Sequence, residues 1–372
     1  MDYAAATPMD QRVQTAMEPY FKREFYNPSA TYLAGKKIRK ALEESRHQVA
    51  QVIGARPAEI IFTAGGTEAN NLAVQGVMRQ FPRANMVTTA IEHDSILEPA
   101  KLFKAQLAPV RHDGLVDVKA LAQLINNHTV LVSVMYASNE IGVVQSLRQI
   151  SRELDIIRAQ RRAAHNELPL YFHSDAAQAG NYLDIHVARL GVDLMTLNGG
   201  KIYGPKASGV LYKAAHVSLQ PIIFGGGQEF NVRSGTENVA ASIGFSVALA
   251  IAQADRHAAF ARMQRLQQLF LKMLDQHLPD AVVNGSLTHR LPNNVHISLP
   301  GKDNERLLFE LDEAGIMAAA GSACSASSDE PSHVLTAIGI SEDMIRASLR
   351  FTFGRQTSEN HIKTVIKVLN SL

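Results

Sequence analysis

The 372-residue sequence has one cysteine, Cys324, and no tryptophan. A single thiol can form neither an intramolecular disulfide nor a cysteine-rich zinc site, so no metal is expected, and the reading is a reducing, cytoplasmic setting. Long apolar runs are also missing. The longest, near residues 243–252, is interrupted by Ser246 and is too short to span a bilayer, and Met1 to Pro8 carry no charged leader ahead of an apolar stretch. No membrane association is therefore predicted. Nor does charge of one sign dominate: 37 Lys and Arg against 35 Asp and Glu leave a net +2, spread along the chain. Without a basic stripe or an acidic tail, nucleic acid is not an expected partner.

What the chain does have is a 46% hydrophobic content, enough for a substantial core, at a length that favours two compact units. From about Ile60 to Tyr212 short apolar, β-rich runs alternate with polar or Gly-containing loops and helical stretches. That pattern predicts an α/β fold with a mainly parallel sheet. In such sheets ligands sit beyond the carboxyl ends of the strands. Residues 239–277 have helical spacing and no proline, which predicts a long helix linking two units. After Pro279 shorter elements suggest a smaller α+β unit.

The loops after the strands carry the chemistry. Gly65, Gly66 and Thr67 lie between a buried strand and a helix, where free N–H groups and the helix dipole would cradle a phosphate; a plain chain-reversing turn is the alternative. Asp175 and Lys201 follow two further strands at the same edge. A lysine that forms a Schiff base and an acid that keeps a pyridine nitrogen protonated suit pyridoxal phosphate, against a surface lysine and a helix-capping acid. His93 and Asn139 follow two more strands, as functional groups or as caps. Residues 225–236, Gly-rich and ending in Arg233-Ser234-Gly235-Thr236, can bind an anion or merely connect. Cys324 sits among Gly, Ser and Ala, a setting for a reactive thiolate rather than a core filler. Arg350, on an alternating strand pattern, is either a polar strand face or a carboxylate clamp.

Together these segments resemble the cysteine desulfurases, the NifS and IscS-like branch of the class V aminotransferases, along essentially the whole chain. The resemblance is carried by Asp2-Tyr3-Ala4-Ala5-Ala6-Thr7-Pro8, residues 62–72, residues 139–145, Lys201-Ile202-Tyr203-Gly204-Pro205, Arg233-Ser234-Gly235-Thr236, Gly321-Ser322-Ala323-Cys324 and Arg350-Phe351. It implies the pyridoxal-phosphate-dependent transferase fold of type I, with a large cofactor domain (13–253) and a small domain (1–12 and 254–372) that carries Cys324, in a homodimer. It also implies removal of sulfur from L-cysteine, giving L-alanine and a Cys324 persulfide for a sulfur-acceptor protein, as in iron–sulfur cluster assembly or thio-modification.

By position, Lys201 matches the Schiff-base lysine, Asp175 the pyridinium partner, Gln178 the donor to the cofactor's phenolic oxygen and His93 the stacking, proton-transferring histidine. Gly66 and Thr67 match the phosphate cradle, and Thr236 a phosphate ligand lent by the other subunit. Asn139 matches a cofactor and substrate contact, Arg350 the substrate clamp and Cys324 the sulfur-accepting nucleophile. Three departures stand out. Asn198-Gly199-Gly200 replaces Ser-Gly-His before the lysine, leaving the Asn198 amide as the surviving donor. Tyr32 replaces a histidine, and the chain stops at Leu372, without the longer tail that helps members dock their scaffold. A selenocysteine or cysteine-derivative lyase that needs no persulfide, and a non-catalytic partner-binding member, remain the alternatives.

Overall fold

The computed structural model describes residues 1–320 and 331–372. Cys324 therefore lies outside the described residues. Among those described, the first seven strands form one sheet: β1 (Ile60–Thr63), β2 (Asn85–Thr89), β3 (Gln106–Ala108), β4 (Thr129–Ser133), β5 (Tyr171–Asp175), β6 (Leu194–Asn198) and β7 (Gly209–Lys213), in the spatial order β1-β7-β6-β5-β4-β2-β3. Pairs β2–β3, β2–β4, β4–β5 and β5–β6 are parallel. Only β7 runs against the rest, pairing antiparallel with both β1 and β6.

Helices cover the sheet, so every residue of β1, β4 and β5 is buried, and β1 and β4 read as mainly apolar runs. The half-exposed edge strand β3 is only three residues long and gives no such run. The expected ends shift slightly, since β5 runs on through Ser174 and Asp175, placing the carboxylate on the last strand residue rather than in the loop.

The long helix spans Val239–His277, roughly 58 Å at 1.5 Å per residue. Its start is fixed by the Asn238 side chain, which accepts the Ala241 N–H. Its amino-terminal half packs in an apolar core drawn from residues 13–252. Its carboxyl-terminal half, from Met263, belongs to a second core with β9 (Asn294–Ser298), β10 (Ser348–Thr352) and the closing helix Glu359–Ser371. A smaller antiparallel sheet in the order β10-β9-β8, with β8 at Val282–Val283, completes that part. The amino terminus crosses to it: Asp2 bridges Thr352 beside β10, while Thr7 hydrogen-bonds to Gly200 and Tyr203 in the larger part.

Candidate active site

Because β7 alone is reversed, the chain leaves β1, β2, β4, β5 and β6 at one edge. After β1 it turns at Gly65, whose φ of 142° excludes most side chains, and enters the helix Gly66–Met78. Gly209 lets this turn approach β7, since a Cβ there would meet Gly65 backbone at 2.7 Å. Gly66 and Thr67 thus open a helix whose first N–H groups have no intrahelical acceptor. Asn198 ends β6 nearby. Its Oδ1 accepts the Gly200 N–H at 3.0 Å, so its amide NH2 is turned toward the glycine turn, where a Cβ on Gly66 would lie 3.2 Å from Nδ2.

Asp175 is held by both oxygens: Oδ1 accepts from Ala177 N at 2.9 Å and Oδ2 from Asn70 Nδ2 at 2.7 Å. His93 caps the helix Asp94–Ala100. Its Nδ1 accepts the Ser95 N–H at 3.0 Å and lies 2.8 Å from Ser95 Oγ. Lys201 closes the short turn Gly199–Lys201 after β6, and its Nζ donates to the carbonyls of Ala4 and Ala5 at 2.7 and 2.5 Å. Gln178 Nε2 donates to Ala4 as well, at 3.1 Å.

Arg350 projects from β10 with 1% of its surface exposed. Its Nη1 donates to the Asn139 carbonyl at 3.0 Å and its Nη2 to Asp2 at 2.8 Å, while Nε has no partner among the described residues. A buried donor left over in a cavity wall is what a carboxylate ligand would satisfy. The plainer reading of Arg350 as a solvated strand face is excluded.

Nine expected residues line one cavity: Gly66, Thr67, His93, Asn139, Asp175, Gln178, Asn198, Lys201 and Arg350. Anion donors at the Gly66 turn, a carboxylate at Asp175 and an amine on Lys201 could together hold a flat, phosphorylated aldehyde. Thr236 is not among them; it lines a separate cavity with Gly235 and Glu237, where Arg233 is tied to Glu68 at 2.7 Å. Tyr32 is likewise outside this wall, 54% exposed and edge-on to Tyr26.

Two buried carboxyl groups are chain neighbours of cavity residues, Glu92 of His93 and Glu140 of Asn139. Burial, reinforced by the charge of Asp175, pushes Glu92 up to about 8, against hydrogen bonds from Thr89 and the Met135 N–H. Burial also raises Glu140, which accepts from the Ser332 hydroxyl and feels Arg350. Sequence reasoning missed Asn70, Ser95 and Asp2. Asn70 and Asp2 lie inside stretches that carried the resemblance, so a role was signalled there without a geometry to define it.

The aminotransferase class-V family model matches residues 1–365. The chain belongs to that family. Family membership implies dependence on pyridoxal phosphate, and the fold is that of the type I enzymes. The class V aminotransferase chain is 37% identical over 379 residues to the cysteine desulfurase IscS of Dictyoglomus turgidum, covering 100% of this chain and 93% of that one. A NifS-like protein from Rickettsia africae superimposes with a TM-score of 0.88 at 30% identity, over 100% of this chain and 98% of that one. SspA in complex with cysteine gives 0.81 at 30% identity, over 95% and 97%.

Proposed function

We propose that this class V aminotransferase is a cysteine desulfurase that carries pyridoxal phosphate on Lys201 and passes sulfur from L-cysteine to Cys324. The observation that carries the reading is the single cavity in which Lys201, Asp175, His93 and the Gly66–Thr67 turn meet a buried arginine. Its relatives' names and the cysteine-bound SspA structure support the same substrate.

The division of labour is the one that the resemblance implies, and the shared cavity supports it. The N–H groups at Gly66 and Thr67, with the Asn198 amide, would hold the phosphate, and a second subunit would add Thr236. Gln178 would donate to the phenolic oxygen and Asp175 would keep the ring nitrogen protonated. Bound there, the cofactor supplies an electron sink for the substrate's Cα. Arg350, with Asn139 beside it, would grip the cysteine carboxylate. Lys201, once displaced, would move the Cα proton, with His93 against the ring as a further proton carrier. The Cys324 thiolate would then attack the substrate sulfur: a new S–S bond forms, the carbon–sulfur bond breaks with its electrons staying on carbon, and protonation of carbon releases L-alanine. The persulfide on Cys324 would next be handed to an acceptor protein.

The reading divides the chain into a large domain (13–253) and a small one (1–12 and 254–372), supported by the two separate apolar cores. A homodimer is part of it, since Thr236 lies outside the Lys201 cavity of its own chain. The test is direct. Purified protein should be yellow with pyridoxal phosphate and should release alanine and, with a thiol reductant, sulfide from cysteine. Lys201→Ala should lose the visible absorbance; Cys324→Ala should keep it and lose sulfide release. Full turnover by Cys324→Ala would instead assign a lyase that needs no persulfide.

A further inference from the structure

We propose that Asn70 is a positioning residue that links Asp175 to His93 through the two N–H donors of one carboxamide. This rests on the reading of the Lys201 cavity as a pyridoxal phosphate site and deepens it.

Asn70 sits in the first turns of the helix Gly66–Met78, 1% exposed, and borders the cavity. Its Nδ2 donates to Asp175 Oδ2 at 2.7 Å and to Ser95 Oγ at 2.8 Å. The amide orientation is not arbitrary. An ionised carboxylate can only accept, so the NH2 must face Asp175; the flipped amide would set Oδ1 against the carboxylate. Oδ1 itself has no partner among the described residues, so the side chain leaves one acceptor bare to keep both donors in place.

Directionality then propagates. Ser95 Oγ already accepts from Asn70, so its proton is free to point at His93 Nδ1, 2.8 Å away. Nδ1 also accepts the Ser95 N–H at 3.0 Å. Two donors on Nδ1 leave the neutral imidazole's proton on Nε2, and the ring is fixed in both rotamer and tautomer. Asp175 is fixed from the other side by Ala177. The group that holds the ring nitrogen and the group against the ring face are therefore joined by one amide and one hydroxyl, in a buried network where such bonds polarise one another.

The experiment reads the link in protein stripped of cofactor. Histidine side chains are labelled with 15N and the His93 resonance is assigned with His93→Gln. In the wild type, Nδ1 should give an unprotonated shift, and Asp175→Asn should move it. In an Asn70→Ala background the same Asp175→Asn change should leave it unmoved. A Ser95→Ala background should also silence the response. In cofactor-loaded enzyme Asn70→Ala should lower kcat by about tenfold or more and shift its pH profile, with the KM for cysteine little changed, because the hydrogen bonds of Asn70 go to Asp175 and Ser95 and those of Arg350 to Asn139 and Asp2. If Asp175→Asn moves the His93 signal equally with and without Asn70, or not at all, the link does not exist. A wild type that binds no pyridoxal phosphate would sink the desulfurase reading instead and leave the nitrogen shifts to be read on their own.

Discussion

Asp2 and Arg350, 348 positions apart, form a 2.8 Å ion pair at the rim of the cavity, with the arginine side chain 1% and the aspartate 20% exposed. The pair fixes the guanidinium and fastens the amino terminus to β10. Asp2→Ala would leave a buried cation with one carbonyl partner, and a hydrogen bond to a charged group is worth about 2 kcal/mol. A urea denaturation curve should show a loss of that order. Arg350→Lys keeps the charge but not the planar fork, so the KM for cysteine should rise by about tenfold or more in a protein that still binds its cofactor. An unchanged KM would take Arg350 out of substrate binding.

How much of this was legible follows from where each signal lies. β1, β2 and β4 to β7 declared themselves as short apolar runs, and the helix Val239–His277 by its helical spacing, its lack of proline and the Pro279 just beyond it. β3 did not, because three residues on a half-exposed edge carry no periodicity. The reversal of β7 was equally silent, since an apolar run has no direction. Lys201, Asp175 and His93 were readable as loop and strand-end residues at one sheet edge. Asn70 looks like an ordinary helical residue until Asp175, 105 positions away, is folded against it, and Asp2 requires the whole chain to reach its partner.

Arg46 and Glu229 form a two-pronged pair at 2.7 Å on both arms, each side chain 3% exposed. Glu229 also accepts the Phe62 N–H, and Arg46 lies over the Phe62 and Phe230 rings. The pair thereby ties the segment leading to Thr236 onto β1. Removing one partner of a buried pair costs about 3–5 kcal/mol because the other is left uncompensated. Arg46→Ala should lower thermal stability accordingly, whereas Arg12→Ala, which removes a solvent-exposed arginine from Asp10 and leaves Asp10 its pair with Arg355, should leave the melting temperature nearly unchanged.

His296 is fully buried on β9, where burial first, and then the charges of Arg290 and Arg350, push it down to about 3. Its Nδ1 accepts from Asn284 at 3.0 Å, which suits a neutral ring. His173 is similarly pushed down to about 4 by burial. Between these values and about 6.5 the unfolded chain binds protons that the native state refuses, so stability should fall as pH drops through that window. Urea midpoints measured from pH 7 to pH 4 should decline, and His296→Gln should make the decline shallower. A parallel decline in the variant would show that His296 takes no part.

Glu92 works in the opposite sense. Its native value of about 8 lies above the ordinary 4.5, so between the two the native state holds a proton that the unfolded chain has released. Stability conferred by the rest of the fold is therefore eroded as pH rises from about 4.5 to about 8, and the erosion levels off above that. Glu92→Gln removes the ionisation and keeps an acceptor for the Thr89 hydroxyl and the Met135 N–H. The variant should match the wild type near pH 4.5 and exceed it by a few kcal/mol near pH 8, a gap set by the size of the shift. Denaturation curves at the two pH values check this; a gap that stays constant with pH would mean that Glu92 ionises in the folded protein as it does in the unfolded chain.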